Sequence, residues 1–144
     1  MVKRKSLQGD HCPSARSLDV IGDWWSLLIV RDAFDGMTRF GEFQKSLGIA
    51  RNILSDRLRR LESERVVRST PYSERPPRFT YQLTPEGAEL AGALRLLADW
   101  GSRVSREAEP LRHAACGTPM EARWYCPTCA RAVESSEADE VRYL

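Results

Sequence analysis

Residues 49–67, IARNILSDRLRRLESERVV, constrain the fold more than any other stretch of this chain. Leu54, Leu58 and Leu61 recur at offsets of four and three residues, which is the spacing of one face of an α-helix. Most of the remaining positions are arginine, asparagine, serine or an acidic residue. The stretch therefore predicts an amphipathic helix whose leucines face a core. Its polar face is either simply solvated or binds a polyanion, and the rest of the chain decides between the two.

Positive charge is concentrated in and just after this helix. The net charge of the chain, +2, is too small to indicate a partner by itself. Residues 51–78, however, contain eight arginines against four acidic residues, whereas residues 110–144 are slightly acidic. The distribution of charge therefore favours an anionic partner for the helix and the segment that follows it.

Length and composition indicate one globular domain of ordinary size with a small appendage. The chain has 144 residues, of which 42% are hydrophobic. No apolar run approaches the roughly 18–20 residues of a membrane span, and no secretory signal is visible at the start of the sequence. We therefore expect a cytoplasmic protein with no membrane partner. In that compartment the four cysteines are expected to be thiols or metal ligands rather than disulfides.

Upstream of the leucine helix, turn signals divide the chain into three shorter helices. Pro13 suits the first position of a helix, and Gly22 breaks the following apolar stripe into two helices. The dipeptide at 35–36, Asp-Gly, ends the second of them. TRFGEFQKSLG then predicts a short helix from Thr38 that ends at Gly48.

Downstream, the pattern changes to strands and then returns to helix. VVRSTPY and FTYQL are rich in β-branched and aromatic residues, and SERPPR separates them. After them, one long helix is predicted with Thr84 as its N-cap and Pro110 as its stop. The tight turn LGIA between the short helix and the leucine helix is typical of a helix-turn-helix.

The predicted fold is mainly α with a small β-hairpin wing: a winged helix-turn-helix with a long C-terminal dimerisation helix and a short Cys/His tail. Residues 1–111 are expected to form the DNA-binding and dimerisation domain, and residues 112–144 the tail, stapled by zinc if a metal is bound. The N-terminal half of the exposed face of the leucine helix is the part that a recognition helix presents to the major groove of DNA. Asn52 can pair with adenine, and Arg51 or Arg59 with guanine. The full set of predicted DNA-contacting residues is Arg39, Arg51, Asn52, Ser55, Arg57, Arg59, Arg75 and Arg78.

The motifs RF-x-EF, GIARNILSDRL and ERPPRFTYQLT resemble those of the HxlR-type family of bacterial winged-helix transcriptional regulators. The resemblance covers residues 10–105. It implies a homodimer on a two-fold operator, with Ala50–Glu64 as the reading helix and Ser73–Arg78 as the wing. One departure is visible, because the family usually has glycine where this chain has Arg65. If the backbone is left-handed there, a non-glycine residue costs about 1 kcal/mol.

The apolar residues of the first and last helices are expected to form the dimer interface. They are Leu18, Ile21, Leu94, Leu97, Trp100 and Val104. The long helix carries more apolar surface than a domain of this size can cover by itself, and large apolar patches usually mark interfaces.

Cys12 precedes the first helix, with His11 and Arg16 nearby. A helix N-terminus and nearby cations favour the reactive thiolate, and the resemblance implies that some family members sense oxidants or electrophiles with a cysteine at this position. The alternative is a small, half-buried residue of the dimer interface. Both interpretations of Cys12 stay open.

The tail contains two pairs of metal-ligand residues. His113 and Cys116 form one pair, and Cys126 and Cys129 follow after nine intervening residues. One histidine and three cysteines suit a tetrahedral structural zinc with no open position for catalysis. A metal-free loop with reduced cysteines, or a disulfide, remains the alternative. The resemblance includes a family branch with an H-x-x-C-G … C-x-x-C-G tail, from which this chain departs at Ala130.

Two other functions compete with DNA binding. A small thiol redox enzyme could use Cys126 and Cys129, but such motifs lie in a βαβ unit, and none is predicted. A winged-helix module that binds only proteins is the other alternative. No paired carboxylates, phosphate loop or nucleophile–histidine arrangement is apparent in the sequence, so no catalytic activity is expected. The sequence therefore favours a dimeric DNA-binding transcriptional regulator, which we expect to repress transcription.

Overall fold

The computed structural model describes residues 12–105 and 107–133. Helices and strands are numbered in chain order. The helices are α1 Pro13–Ile21, α2 Trp24–Phe34, α3 Phe40–Leu47, α4 Arg51–Ser63, α5 Pro85–Ala88 and α6 Ala91–Val104. The strands are β1 Val67–Glu74, β2 Pro77–Leu83, β3 Trp124–Cys126 and β4 Arg131–Val133. No helix among these residues is both long and apolar enough to cross a membrane.

The predicted division of the first helical stripe at Gly22 is confirmed. Pro13 occupies the first position of α1, and the N–H of Gly22 donates to the carbonyl of Leu18 at 2.9 Å. Asp23 then caps α2, since its carboxylate accepts from the Ser26 N–H at 3.1 Å and from the Ser26 hydroxyl at 2.6 Å. An aspartate in this position satisfies N–H groups that the first turn of a helix leaves without a partner.

The core is built by α2, α3 and α4, which contact one another pairwise. Ile29 and Val30 of α2 and Phe43 of α3 are almost completely buried. From α4, the buried residues are Leu54, Leu58 and Leu61, as the leucine spacing predicted. Each fully buried side chain of this kind contributes about 1.5–3 kcal/mol.

The turn between α3 and α4 fixes the angle of the helix-turn-helix. Gly48 ends α3 in the left-handed conformation, with φ 61°, and its N–H donates to the carbonyl of Gln44 at 3.0 Å. Ile49 is buried, and α4 begins at Arg51.

The start of α3 is Phe40 rather than the predicted Thr38, because Glu42 accepts hydrogen bonds from the N–H groups of both Thr38 and Arg39 at 2.9 Å. These two residues therefore precede the helix.

Arg65, at the end of α4, has φ 58° and is therefore left-handed. Its N–H donates to the carbonyl of Glu62 at 3.0 Å, and the N–H of Val66 donates to the carbonyl of Leu61 at 2.8 Å. These two bonds are the Schellman pattern, in which glycine is the usual left-handed residue. The strained conformation anticipated for Arg65 is thus present, and the buried pair Leu61 and Val66 stabilises the same turn.

Strands β1 and β2 form an antiparallel hairpin, the wing, whose pairing runs from Val67–Leu83 to Glu74–Pro77. The wing is attached to the start of α3, because the N–H of Tyr81 donates to the carbonyl of Thr38 at 2.7 Å. The two predicted strands are confirmed, but the predicted separation by SERPPR is too long, because β1 extends to Glu74 and β2 begins at Pro77.

The single helix predicted from Thr84 to Pro110 is wrong in its limits. Thr84 does cap a helix, but α5 ends at Ala88, and α6 begins at Ala91 and stops at Val104. The N–H groups of Glu89 and Leu90 bond to carbonyls only three residues back, which tightens the turn between the two helices. Gly87 and Gly92 flank this turn, and glycine is about 0.8–1.0 kcal/mol less favourable than alanine in a helix.

The chain divides into two compact units, the first ending at Ala91 and the second beginning at Gly92. Helices α1–α5 and the wing belong to the first unit, whereas α6 and the tail hairpin β3–β4 belong to the second. The predicted domain boundary between residues 111 and 112 stays a prediction.

Substitution of Gly87 tests the close approach of α5 to the backbone. A Cβ at Gly87 would lie 2.0 Å from the carbonyl oxygen of Val66, whereas a Cβ at Gly92 would meet nothing within 4 Å. We expect Gly87→Ala to lower the free energy of unfolding by about 1–3 kcal/mol, measured by urea denaturation. The matched control Gly92→Ala should raise it by about 0.5–1 kcal/mol. Equal effects of the two substitutions would contradict this packing.

Candidate nucleic-acid interface

A groove of about 750 Å³ lies between the helix-turn-helix and the wing. It is lined by four of the predicted DNA-contacting residues: Arg39, Arg51, Ser55 and Arg78. These four come from the start of α3, the start of α4 and the strand β2. Folding thus brings together side chains that are up to 39 positions apart in the sequence (78 minus 39).

Arg39 is held at the edge of this groove by neighbours on both sides. Its guanidinium carbon lies 5.5 Å from the centre of the Tyr72 ring of β1. The backbone N–H of Arg39 donates to the Glu42 carboxylate. That hydrogen bond and the one from Thr38 lower the pKa of Glu42, so the carboxylate stays charged beside the arginine at neutral pH.

Arg51 is the first residue of α4, and its guanidinium carbon lies 5.5 Å from the centre of the Phe40 ring. A cation over an aromatic ring within about 6 Å is worth about 0.5–1 kcal/mol at an exposed site. Ser55 lies one helical turn further on and is half-buried. The charge of Arg51 is therefore oriented before any ligand arrives.

Asn52 and Arg59 lie on the exposed face of α4, opposite the buried leucines, as the leucine spacing predicted. Arg59 donates to Asp56 at 3.0 Å, and both side chains are largely exposed. Such an exposed pair contributes little to stability and is readily exchanged for another anion. Asn52 is near the N-terminal end of the helix, where a recognition helix approaches base edges.

The tip of the wing carries Arg75 and Arg78, and both are exposed. Phe79 beside them is 40% exposed. Tyr81 also lines the groove. Its partial burial and, to a smaller extent, the negative charge of Glu62 raise the pKa of Tyr81. Its hydroxyl therefore stays protonated and available as a hydrogen-bond donor.

Arg57 points away from the groove. Its Nε lies 3.0 Å from Oδ1 of Asp23, the residue that caps α2, and the predicted contact of Arg57 with phosphate stays a prediction. Arg60 behaves similarly, donating to the carbonyl of the buried Asp19 in α1, with its Nη2 3.4 Å from that residue's Oδ2. Two arginines of the basic stretch thus attach α4 to α1 and α2.

Sequence reasoning missed the aromatic side chains that hold the groove arginines, Phe40 and Tyr72. It also missed Asp19 and Asp23 as partners of α4. These pairings join residues far apart in the sequence, which local periodicity does not report.

The tail residues predicted to bind zinc occur as two pairs. His113 Nδ1 lies 3.3 Å from Cys116 Sγ, and hydrogen bonds with Thr118 and then His113 lower the pKa of the Cys116 thiol. Hydrogen bonds with the backbone and side chain of Cys129 lower the pKa of Cys126. Among residues 12–105 and 107–133, no group of three or more metal-ligand side chains is gathered at one point.

Cys12 is the N-cap residue of α1 and is half-buried. That position agrees with both interpretations drawn from the sequence, an activated thiol and an interface residue. His11 lies outside the described residues.

Comparisons with known proteins agree with this architecture. The HxlR-like helix-turn-helix family matches residues 20–109. The HTH-type transcriptional regulator Mb3122 of Mycobacterium bovis is 38% identical over 122 residues, which cover 82% of this chain and 77% of that protein. The crystal structure of PA1607 superposes with a TM-score of 0.78 at 39% identity, over 91% of this chain and 94% of that one. The redox regulator HypR in its reduced form has a TM-score of 0.60 at 32% identity, over 66% of this chain and 94% of that one.

The winged helix-turn-helix, the arginine-lined groove and these matches lead to one conclusion. The chain belongs to the HxlR-like helix-turn-helix family and is a DNA-binding transcriptional regulator.

Proposed function

We propose that the protein is a homodimeric, cytoplasmic repressor that binds a two-fold operator through α4 in the major groove and the wing on the adjacent backbone or minor groove. The observation that carries this proposal is the groove in which Arg39, Arg51 and Arg78 face a common space beside α4.

The groove fits a DNA backbone because its arginines are positively charged and because two of them are held in place before DNA binds. Phosphate contacts from arginine position a protein on the duplex, and side chains on base edges supply the specificity. Arg51 and Arg39 are already held against aromatic rings, so less conformational freedom is lost when they meet phosphate. Pro76 and Pro77 restrict the wing tip in the same sense.

Base reading is assigned to the exposed N-terminal half of α4. Asn52 can donate and accept on the edge of adenine, and Ser55 can contact any base less selectively. Arg59, on the same face, can also contact a base when its exposed ion pair with Asp56 is replaced by a contact with DNA.

A homodimer is supported by apolar side chains left exposed on α1 and on α6. On α1, Leu18 is 55% exposed. On α6, the exposed large apolar residues are Leu96, Leu97, Trp100 and Val104, and no residue of this helix is buried. Apolar surface of this kind is typical of an interface, and a two-fold dimer would place two recognition helices about 34–36 Å apart, one turn of DNA. A dimer bound across two major grooves would block polymerase where the operator overlaps a promoter, which is why we propose repression.

Asn52→Ala should cost about 1–3 kcal/mol of operator affinity and relax base preference at one position, because a bidentate contact is lost. The operator would first be selected from random DNA with the protein's own upstream region included. Affinities for the operator and its single-base variants would then be compared by fluorescence anisotropy. Ser63→Ala, at the far end of α4, is the control and should change neither quantity. Unchanged affinity and preference in Asn52→Ala would show that α4 does not dock in this way.

Leu97→Glu should convert the dimer to a monomer and greatly weaken operator binding, because a charge would be buried in the interface. Light scattering at micromolar concentration measures the mass. Arg95→Glu, on the other side of the α6 helical wheel, should remain dimeric. A monomeric parent protein, or full operator binding by monomeric Leu97→Glu, would contradict the dimer.

A further inference from the structure

The tail after α6 contains an arrangement of nitrogen and sulfur donors that the proposed function does not use. Every residue from 112 to 125 is exposed, so this part of the chain has no hydrophobic core of its own. Small segments without a core are usually stabilised by disulfides or metals. None of the described cysteines is in a disulfide.

The first pair of donors lies on a tight turn. The N–H groups of Cys116 and Gly117 both donate to the carbonyl of His113, at 3.3 and 2.8 Å. The turn is closed by the N–H of His113, which donates to the carbonyl of Thr118 at 2.9 Å. As a result, His113 Nδ1 and Cys116 Sγ lie 3.3 Å apart on the same side of the turn.

The second pair also lies on a turn. It connects β3 to β4, which pair from Trp124–Val133 to Cys126–Arg131. The backbones of Thr128 and Cys129 hydrogen-bond with Cys126, and so does the side chain of Cys129. Here too, the two donor side chains of the turn are brought together.

Both turns place a left-handed residue directly after the second donor. Gly117 has φ 70°, and Ala130 has φ 52°. An alanine in this conformation costs about 1–2 kcal/mol, so the turn retains its geometry in spite of the residue rather than because of it. The two donor pairs, which lie within 18 positions (113 to 130), therefore share this feature of the backbone.

We propose that the two turns are the halves of one structural zinc site, with His113, Cys116, Cys126 and Cys129 as its four ligands. Imidazole and thiolate are the donors that zinc prefers, and four protein ligands leave no position for a reactive water. In the described residues the donors stand as two separate pairs. Metal binding is what joins them, and the stretch between Cys116 and Cys126 has no regular structure at 120–123 to oppose their approach.

The proposed zinc ligands and the predicted DNA-contacting residues belong to different units of the chain. All eight predicted DNA-contacting residues lie in the first unit, whereas the four zinc ligands lie in the second. Zinc therefore stabilises the tail and leaves operator recognition unchanged.

Elemental analysis of untagged protein made in zinc-supplemented medium tests this proposal. The parent should contain about one zinc per chain, Cys126→Ser should contain almost none, and both should bind the operator equally well. Cys12→Ser is the matched control, because it makes the same change outside the tail and should retain the metal. A parent without zinc, or zinc retained in Cys126→Ser, would overturn the site. Metal loss that abolishes operator binding would overturn its separation from DNA reading.

A second measurement does not depend on any variant folding correctly. After zinc is removed from the parent protein with a chelator, added Co²⁺ should give the intense visible bands of a tetrahedral site and a near-ultraviolet thiolate charge-transfer band. Absence of these bands would contradict the ligand set. Light scattering before and after chelation should give the same mass. A mass that halves would mean that the ion joins two chains, and the proposed site within one chain would be wrong.

Discussion

Burial of Leu54, Leu58 and Leu61 is the interaction on which the rest of the structure depends. These side chains meet the core supplied by α2 and α3, so they fix which face of α4 points inward. The opposite face, with Asn52 and Arg59, is thereby exposed to solvent. Two pairings between arginine and aspartate, Arg57 with Asp23 and Arg60 with Asp19, then attach the helix to α2 and α1. The recognition surface is in this sense a consequence of core packing.

The positions of the helices and strands in the first unit were largely predictable, because the signals that set them are local. Gly22, Gly36 and Gly48 mark turns at which the backbone changes direction, and the leucine spacing identifies the buried face of α4. The break between α5 and α6 was not predictable in the same way. Just before it, Gly87 lies against the backbone of Val66, a contact between residues far apart in the chain that no pattern in the sequence reports.

The candidate site likewise has features that the sequence predicted and features that depend on contacts between distant residues. Sequence analysis identified eight candidate DNA-contacting residues, and the groove brings four of them together. It could not show that Arg57 is engaged by Asp23, nor that Phe40 and Tyr72 orient Arg51 and Arg39. The number of arginines in residues 51–78 does not distinguish those that attach α4 to α1 and α2 from those that line the groove. In the tail, spacing alone identified both donor pairs, and the repeated turn geometry became visible only in the structure.

The salt dependence of operator affinity tests most directly whether the groove and wing contact DNA phosphates. The logarithm of the association constant should fall steeply and linearly with the logarithm of salt concentration, because each neutralised phosphate releases counterions. Arg78→Ala should weaken binding to all sequences and reduce the slope by about one. Arg68→Ala removes the same charge from β1 outside the groove, where Arg68 bonds to Gln82, and should leave the slope unchanged. An affinity that is independent of salt, or a slope that is the same in Arg78→Ala as in the parent protein, would contradict the account.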